Sequence, residues 1–398
     1  TEKRSGEVKA RTCANGSVQC KHVVKDKAAD PAVTSEAIFV QSTIYAHESR
    51  DIATCDIPGA FLQADNPDFV LMRLDGILAE LMVKIAPTLY CKYVTTNAKS
   101  KSVFYVQLEK AVYGMMKSAL LFYRKLVADL TSIGYEINPY DPCVANMETK
   151  SGKQLTVVWH VDDLMASCED DFELTKFLCH MGRIYGPSLS MHLGNYLGVD
   201  MEFCDDGTFE VSMFKYLKNV IDEFPELIKG RAVTPAHDKL FVIRDGKEAR
   251  KLSEEQALAF HHTVAQLLFM ATRARRDIQT PVAFLTTRVK NPDEDDWGKL
   301  KRVLKYLNGT KYLKLRLTVD NLSVLKWYVD GSHNVHWDCR GHGGAVFLMG
   351  RGATLSYSRK LKLNTRSSTE TEIVTADMFM PEMLWSLHFI RAQGYNAE

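Results

Sequence analysis

The feature that most constrains this chain is an aspartate pair set between two apolar, β-branched runs. Leu155-Thr-Val-Val-Trp-His-Val161 precedes Asp162-Asp163, and Leu164-Met-Ala166 follows. Such runs read as strands, and a two-residue polar interruption reads as a hairpin turn. Alone, the pair is ordinary turn chemistry, because Asp favours turn backbones. An upstream acid changes the reading. Ile52 to Asp56 looks like a strand end, and a large aromatic, Phe61, lies five residues beyond Asp56. Asp56, Asp162 and Asp163 on strand ends and a tight turn form the inventory of two-metal phosphoryl transfer, in which two hard cations share anionic oxygens. Like-charge repulsion makes such packing costly unless cations fill it.

Other elements are legible from periodicity. Val103 to Leu108 alternates as a strand, and residues 117–133 place Leu120, Leu121, Tyr123, Leu126 and Leu130 on one helical face. A strand over 208–212 and helices over 214–224, 257–272 and 295–308 follow, with a charged linker at about 230–255. Leu325 to Val329 and Ala345 to Leu348 read as strands. Ser367 to Glu370 fits a capping box that opens a helix toward Gln393. Residues 1–50 carry no clear pattern.

At 398 residues the chain predicts two or three domains. No run of about 18 apolar residues marks a membrane span. The polar start, without an initiator Met or a signal-peptide core, suggests a piece of a longer reading frame. Nine scattered cysteines with no C-x-x-C pair suggest reduced thiols and an intracellular setting. Net charge is only +1, but Lys299, Lys301, Arg302, Lys305, Lys311, Lys314 and Arg316 run without an acid, and Arg273, Arg275 and Arg276 cluster just upstream. Two basic segments could track a phosphate backbone, or simply form a solvated helix face.

Several ordered motifs carry a family resemblance. Asp56-Ile-Pro-Gly-Ala-Phe61-Leu-Gln-Ala-Asp65 resembles the first palm motif of copia-type retrotransposon reverse transcriptases, and Val158-Trp-His160-Val-Asp162-Asp163-Leu164 resembles their Y-V-D-D box, with His160 in place of the common Tyr. Between them, Leu108 to Tyr123 resembles the L-Y-G-L-K-Q-S segment. Tyr196-Leu-Gly-Val-Asp200 is similar to F-L-G-I, and Arg275-Arg276-Asp-Ile to R-P-D-I with Arg276 for Pro. Lys301-Arg-Val-Leu-Lys305-Tyr-Leu-Asn-Gly-Thr310 resembles R-V-L-R-Y-L-K-G-T, and Lys9-Ala-Arg11 resembles K-A-R-L-V. The order holds across about 390 residues.

The resemblance implies an α+β fold: a right-hand polymerase palm and fingers with a helical thumb or connection, then a truncated ribonuclease H-like α/β domain. The expected boundaries are 1–225 for an N-terminally truncated fingers and palm, 226–320 for the thumb or connection, and 321–398 for the last part. It implies RNA-directed DNA polymerisation with two Mg²⁺ ions, or Mn²⁺, held by Asp56, Asp162 and Asp163. Lys9, Arg11, Phe61 and Lys117 would bind dNTP, with Phe61 rejecting ribose. Arg273, Arg275, Arg276, Lys299, Lys301, Arg302 and Lys305 would hold an RNA template and DNA primer. Further implied partners are capsid, protease and integrase of the same polyprotein, with no membrane partner and an undefined oligomeric state. The implied location is a cytoplasmic virus-like particle or the nucleus.

Trp327-Tyr-Val-Asp330-Gly-Ser and Ser367-Ser-Thr-Glu-Thr-Glu372 resemble the family's ribonuclease H, with Asp330 at a strand end and Glu372 in a helix's first turn as metal ligands. A further family Asp lies past the point where Glu398 stands, so no RNA cleavage is expected of this part. His333, His336, Cys339 and His342 are spaced by three like a zinc set, but they also match a ribonuclease H turn that needs no metal. The alternative to a polymerase is a degenerate retroelement fragment that at most binds nucleic acid.

Overall fold

The computed structural model describes residues 13–22, 29–99, 101–186, 189–190, 194–244 and 250–398. The first half runs α1 (Ser35–His47), β1 (Asp51–Asp56), α2 (Ala60–Gln63), β2 (Leu71–Asp75), α3 (Ile77–Ile85), α4 (Pro87–Tyr90), β3 (Thr95–Thr96), β4 (Ser102–Gln107) and α5 (Ser118–Ser132). It continues with β5 (Glu136–Ile137), β6 (Val144–Glu148), β7 (Gln154–His160), β8 (Asp163–Cys168), α6 (Asp171–Tyr185) and β9 (Leu189–Ser190). Then come β10 (Asn195–Tyr196), β11 (Val199–Phe203), β12 (Phe209–Ser212), α7 (Phe214–Glu223), α8 (Glu254–Ala271), α9 (Gln279–Thr286), α10 (Glu294–Gly309) and β13 (Leu315–Leu317). The end is β14 (Lys326–Ser332), β15 (His342–Leu348), β16 (Leu355–Lys360) and α11 (Ser368–Ala392).

The fold is α+β. A central six-stranded sheet has the order β5-β6-β7-β8-β1-β9, and smaller sheets are β10-β11-β12-β13, β14-β15-β16 and β2-β4-β3. Pairings within the central sheet are antiparallel. Its middle strands are buried on both faces, which is why Leu155–Trp159 reads as a continuous apolar run rather than an alternating one. On one face Trp159 lies 6.4 Å from the Tyr123 ring of α5. On the other, Thr156 accepts a hydrogen bond from Arg50, just beyond α1.

Helix α1 was invisible in sequence for a physical reason. Residues Ala37 to Ala46 are all buried, so no polar face gives the helix a period. Thr34 caps it by accepting from the Ala37 N–H at 3.1 Å. The sheet covers one side of α1, and the C-terminal segment reaches the others. Gln41 Nε2 donates to Gln393 Oε1 at 2.7 Å, and Tyr357 donates to Glu36 Oε1 at 3.2 Å.

One buried apolar cluster therefore runs from Val33 to Ala397. Strand β13 pairs with β12, so one sheet straddles residue 225, and the core passes 320 without a gap. The physical reason is that the β12 edge would otherwise leave polar backbone uncovered.

Candidate active site

Register builds the site. Asp56 at the end of β1 sits directly opposite Asp163 on β8, and His160 on β7 sits opposite Asp163 on its other side. The hairpin turn is therefore Val161-Asp162, one residue earlier than expected, and Asp163 belongs to the strand. Directly opposed residues share a sheet face with Cβ atoms about 5 Å apart. The backbone N–H of Ile57 donates to Asp162 O at 3.1 Å, tying the exit of β1 to the turn. Tyr196 donates to Asp163 O at 3.2 Å. Val161 holds the left-handed conformation, φ 59°. For a β-branched residue this costs roughly 1–3 kcal/mol, sustained here because both flanking strands are fixed in the sheet.

The electrostatics suit cations. Burial pushes the Asp163 carboxyl up from its ordinary value, the charges of Asp162 and Asp56 push it further, and His160 opposes them. This hard-oxygen donor set on rigid elements fits divalent ions such as Mg²⁺.

Phe61 stands on α2, its ring 4.5 Å from that of Tyr113. The Tyr113-Gly114 turn is held from outside by a short segment that sequence reading missed. Ala14 N–H donates to Tyr113 O at 2.7 Å, and Gln19 Oε1 accepts from Met116 N–H at 3.0 Å. Gly114 has φ +90°, and a Cβ there would lie 1.9 Å from Ala14 O, so only glycine fits. Lys117 precedes α5 and its Nζ pairs with Asp68 at 2.6 Å. Lys9 and Arg11 lie outside the described residues.

The basic segments are largely spent internally. Arg275 is only 3% exposed; its guanidinium grips Asp277 at 2.7 and 3.0 Å and Thr310 at 2.7 and 3.1 Å. It braces the Arg276–Ile278 turn against the end of α10. On α10, Lys299 pairs with Asp295 and donates to Val242 O, Lys301 pairs with Glu226, and Arg302 meets Thr234 and His237. These three bind the 226–244 segment to the helix. Lys305 is half-buried on the same helix. Arg273 and Arg276 line cavities beside α1, and Lys299 and Arg302 line another against the 235–244 segment.

In the C-terminal sheet, Asp330 lies within β14 rather than at its end, and Glu372 lies in the second turn of α11. Both are exposed. Strand and helix approach closely at Gly331, where a Cβ would lie 2.5 Å from Thr375 Oγ1. The zinc-like histidines do not converge. His336 Nε2 and His342 Nδ1 share a 3.1 Å hydrogen bond, His342 Nε2 meets Ser358 at 2.7 Å, and His333 turns to Thr365 and Thr371. Among the described residues the one compact metal-type triad is Glu202, Cys204 and Glu210, and Lys314 already joins its two acids at 2.6 and 2.7 Å.

Comparison with known proteins bears on this arrangement. The reverse transcriptase (RNA-dependent DNA polymerase) family matches residues 1–236. The Pol polyprotein of transposon TNT 1-94 from Nicotiana tabacum is 22% identical over 98% of this chain and 28% of its own length. That of transposon RE2 from Arabidopsis thaliana is 23% identical over 97% of this chain and 25% of its own. The putative transposon Ty5-1 protein YCL074W of Saccharomyces cerevisiae is 24% identical over 70% of this chain and 89% of its own. The chain thus spans about a quarter of the length of the two Pol polyproteins. A solved foamy viral protease-reverse transcriptase with ds DNA, at TM-score 0.45 and 13% identity over 84% of this chain and 47% of that one, is too distant to add to the argument. With residues 1–236 of its 398 matched, the chain belongs to the reverse transcriptase (RNA-dependent DNA polymerase) family.

Proposed function

We propose that this chain extends a DNA primer on an RNA template, with Asp56, Asp162 and Asp163 as the catalytic carboxylates. The observation that carries the reading is the β1–β8–β7 register, which puts Asp56 and His160 on either side of Asp163 beneath the Val161-Asp162 turn. Reverse transcriptases work with divalent metal ions. Here Asp56, Asp162 and Asp163 would hold two, Mg²⁺ or Mn²⁺. Such ions lower the pKa of the primer 3′-OH and offset charge on the departing pyrophosphate as that oxygen attacks the α-phosphorus of a dNTP. The chain's own groups position the reactants. Phe61, propped by Tyr113, would stand where a 2′-OH clashes. Lys117 would exchange Asp68 for a triphosphate oxygen. Lys9 and Arg11 would add phosphate contacts.

Asp330 and Glu372 would form part of a ribonuclease H-like centre. The natural setting we propose is a retrotransposon polyprotein with capsid, protease and integrase, in a virus-like particle or the nucleus. The test is Mg²⁺-dependent dTTP incorporation on poly(rA)–oligo(dT). Incorporation lost in Asp162→Asn and Asp163→Asn supports the reading. A folded, duplex-binding protein that incorporates nothing would make it a catalytically dead relic.

A further inference from the structure

The small sheet β2-β4-β3 carries α3 on one face. Its core is separate from the main one and slight. Leu74, Ala79 and Phe104 are its buried apolar residues, with the Tyr90 ring of α4 5.5 Å from Phe104. Ala79 and Met82 of α3 pack into this core, yet the opposite side of the helix is apolar too. Ile77, Leu78, Leu81 and Ile85, with Leu89 on α4, are 46 to 77% exposed. Ile77, Leu81 and Ile85 recur at i, i+4 and i+8, which makes a continuous stripe along the outer face. A helix that is apolar all round belongs in an interior, but this side meets solvent in the monomer. These side chains show on the order of 500 Å² of apolar surface, the upper end of a single patch on a stable monomer. That is also about the apolar content of an interface face of about 800 Å².

The charges beside the stripe select its partner. Glu80 and Lys84 lie on one flank of it, both exposed, and form no ion pair among the described residues. Ile77 and Ile85 are spaced equally about Leu81, and Glu80 and Lys84 equally about Met82. Apolar and charged groups therefore share one centre to within a residue. In an antiparallel helix pair, a two-fold axis through that centre keeps each flank beside itself and reverses its order. Glu80 then meets the partner's Lys84, and Lys84 meets the partner's Glu80. Leu81 meets the partner's Leu81 at the axis. A face that carries its own complement suits an isologous contact. The net charge of +1 leaves little long-range repulsion between copies.

We propose that α3 is a dimerisation surface: two copies of this chain pack their α3 helices antiparallel about Leu81, burying the apolar stripe beside two Glu80–Lys84 pairs that cross the interface. The contact also supplies apolar burial to a sheet whose own core is three residues. It uses none of Asp56, Asp162 and Asp163, so it stands apart from the polymerase reading.

The experiment is sedimentation of the chain over a concentration series, which measures the dimer constant. The parent should dimerise. Leu81→Glu sets two carboxylates at the axis and should weaken the dimer roughly a hundredfold. Glu80→Lys and Lys84→Glu each set like charges opposite one another and should each weaken it roughly tenfold. The double variant Glu80→Lys, Lys84→Glu restores both pairs and should return to within about threefold of the parent. That rescue is specific to a second copy, because a different partner would not change its charges in step. All three side chains are exposed in the monomer, so melts at dilutions where the parent is monomeric should coincide. If Leu81→Glu melts early, the charge variants decide alone. A parent that stays monomeric up to its solubility limit would overturn the proposal, whether or not it binds phosphatidylserine vesicles through the stripe. A dimer indifferent to the single charge variants, or a double variant no tighter than the singles, would overturn it as well.

Discussion

The carboxylate end of the central sheet and the C-terminal sheet each present a strand Asp, yet they hold their polar groups in opposite ways. Around Asp163 the register crowds like charges, burial raises the carboxyl, and Val161 is strained. Around Asp330 the acids are exposed, and the buried His336 and His342 hydrogen-bond one another and Ser358, though His336 Nδ1 stays without a partner. The first region has electrostatic tension that a ligand can relieve; the second carries no crowded like charges and pairs most of its buried polar atoms internally. A motif names candidate residues, but cross-strand register and burial decide whether they form a poised site.

The sharpest way to break this contrast is to neutralise one acid in each region. Asp163→Asn should lower dTTP incorporation by roughly three orders of magnitude, the scale of losing a principal electrostatic group, with Tm unchanged or raised because repulsion is relieved. Asp330→Asn should leave incorporation as it was. Equal effects of the two would remove the distinction.

The next test asks whether the regions are separable. Arg50 is buried, pairs with Glu48 at 2.7 Å, donates to Gln154 and Thr156 of β7, and reaches Tyr395 at 3.2 Å. Arg50→Met removes the bridge and leaves Glu48 with only the Tyr395 hydroxyl at 2.8 Å, and should cost about 3 kcal/mol in urea unfolding. Unfolding should remain a single transition, because the core is continuous. Two transitions in the parent would show that the C-terminal sheet folds alone.

The C-terminal region should announce itself in pH. Burial pushes both His336 and His342 down to about 4, against about 6.5 in the unfolded chain. Between those values the unfolded chain binds more protons. Stability is therefore fully present above about pH 6.5 and is lost as pH falls toward 4. Tm should drop between pH 7 and 5, and less steeply in His342→Gln. A profile that His342→Gln leaves as steep would assign the loss elsewhere.

The smallest effect tests the strained turn. Val161→Gly should raise stability by about 1 kcal/mol by relieving the left-handed valine, while slowing incorporation because the carboxylates beside it are held less rigidly. A destabilised Val161→Gly would mean the valine's packing outweighs its strain.

How much of this was legible follows from where the partners lie. The hairpin, β1, β4, α5, α8 and α10 were readable, because period and capping residues are local; Ser367 does accept from the Glu370 N–H at 3.2 Å to open α11. Helix α1 was not readable, since burial on every side erases its period. The N-terminal segment over Tyr113 and the bridge from Arg50 to Tyr395 join residues far apart in sequence, and no local signal marks them.

The sequence by itself determined the strands, the order of the motifs and the carboxylate inventory, because hydrophobic period and turn chemistry act over a few residues. Tertiary structure alone decided that the turn is Val161-Asp162 and that Asp163 faces Asp56. It also decided that Arg275 is a buried brace while Arg276, its neighbour, lines a cavity. Adjacent side chains have the same composition and local charge, and only the elements packed around them determine which guanidinium meets an acid and which meets a cavity.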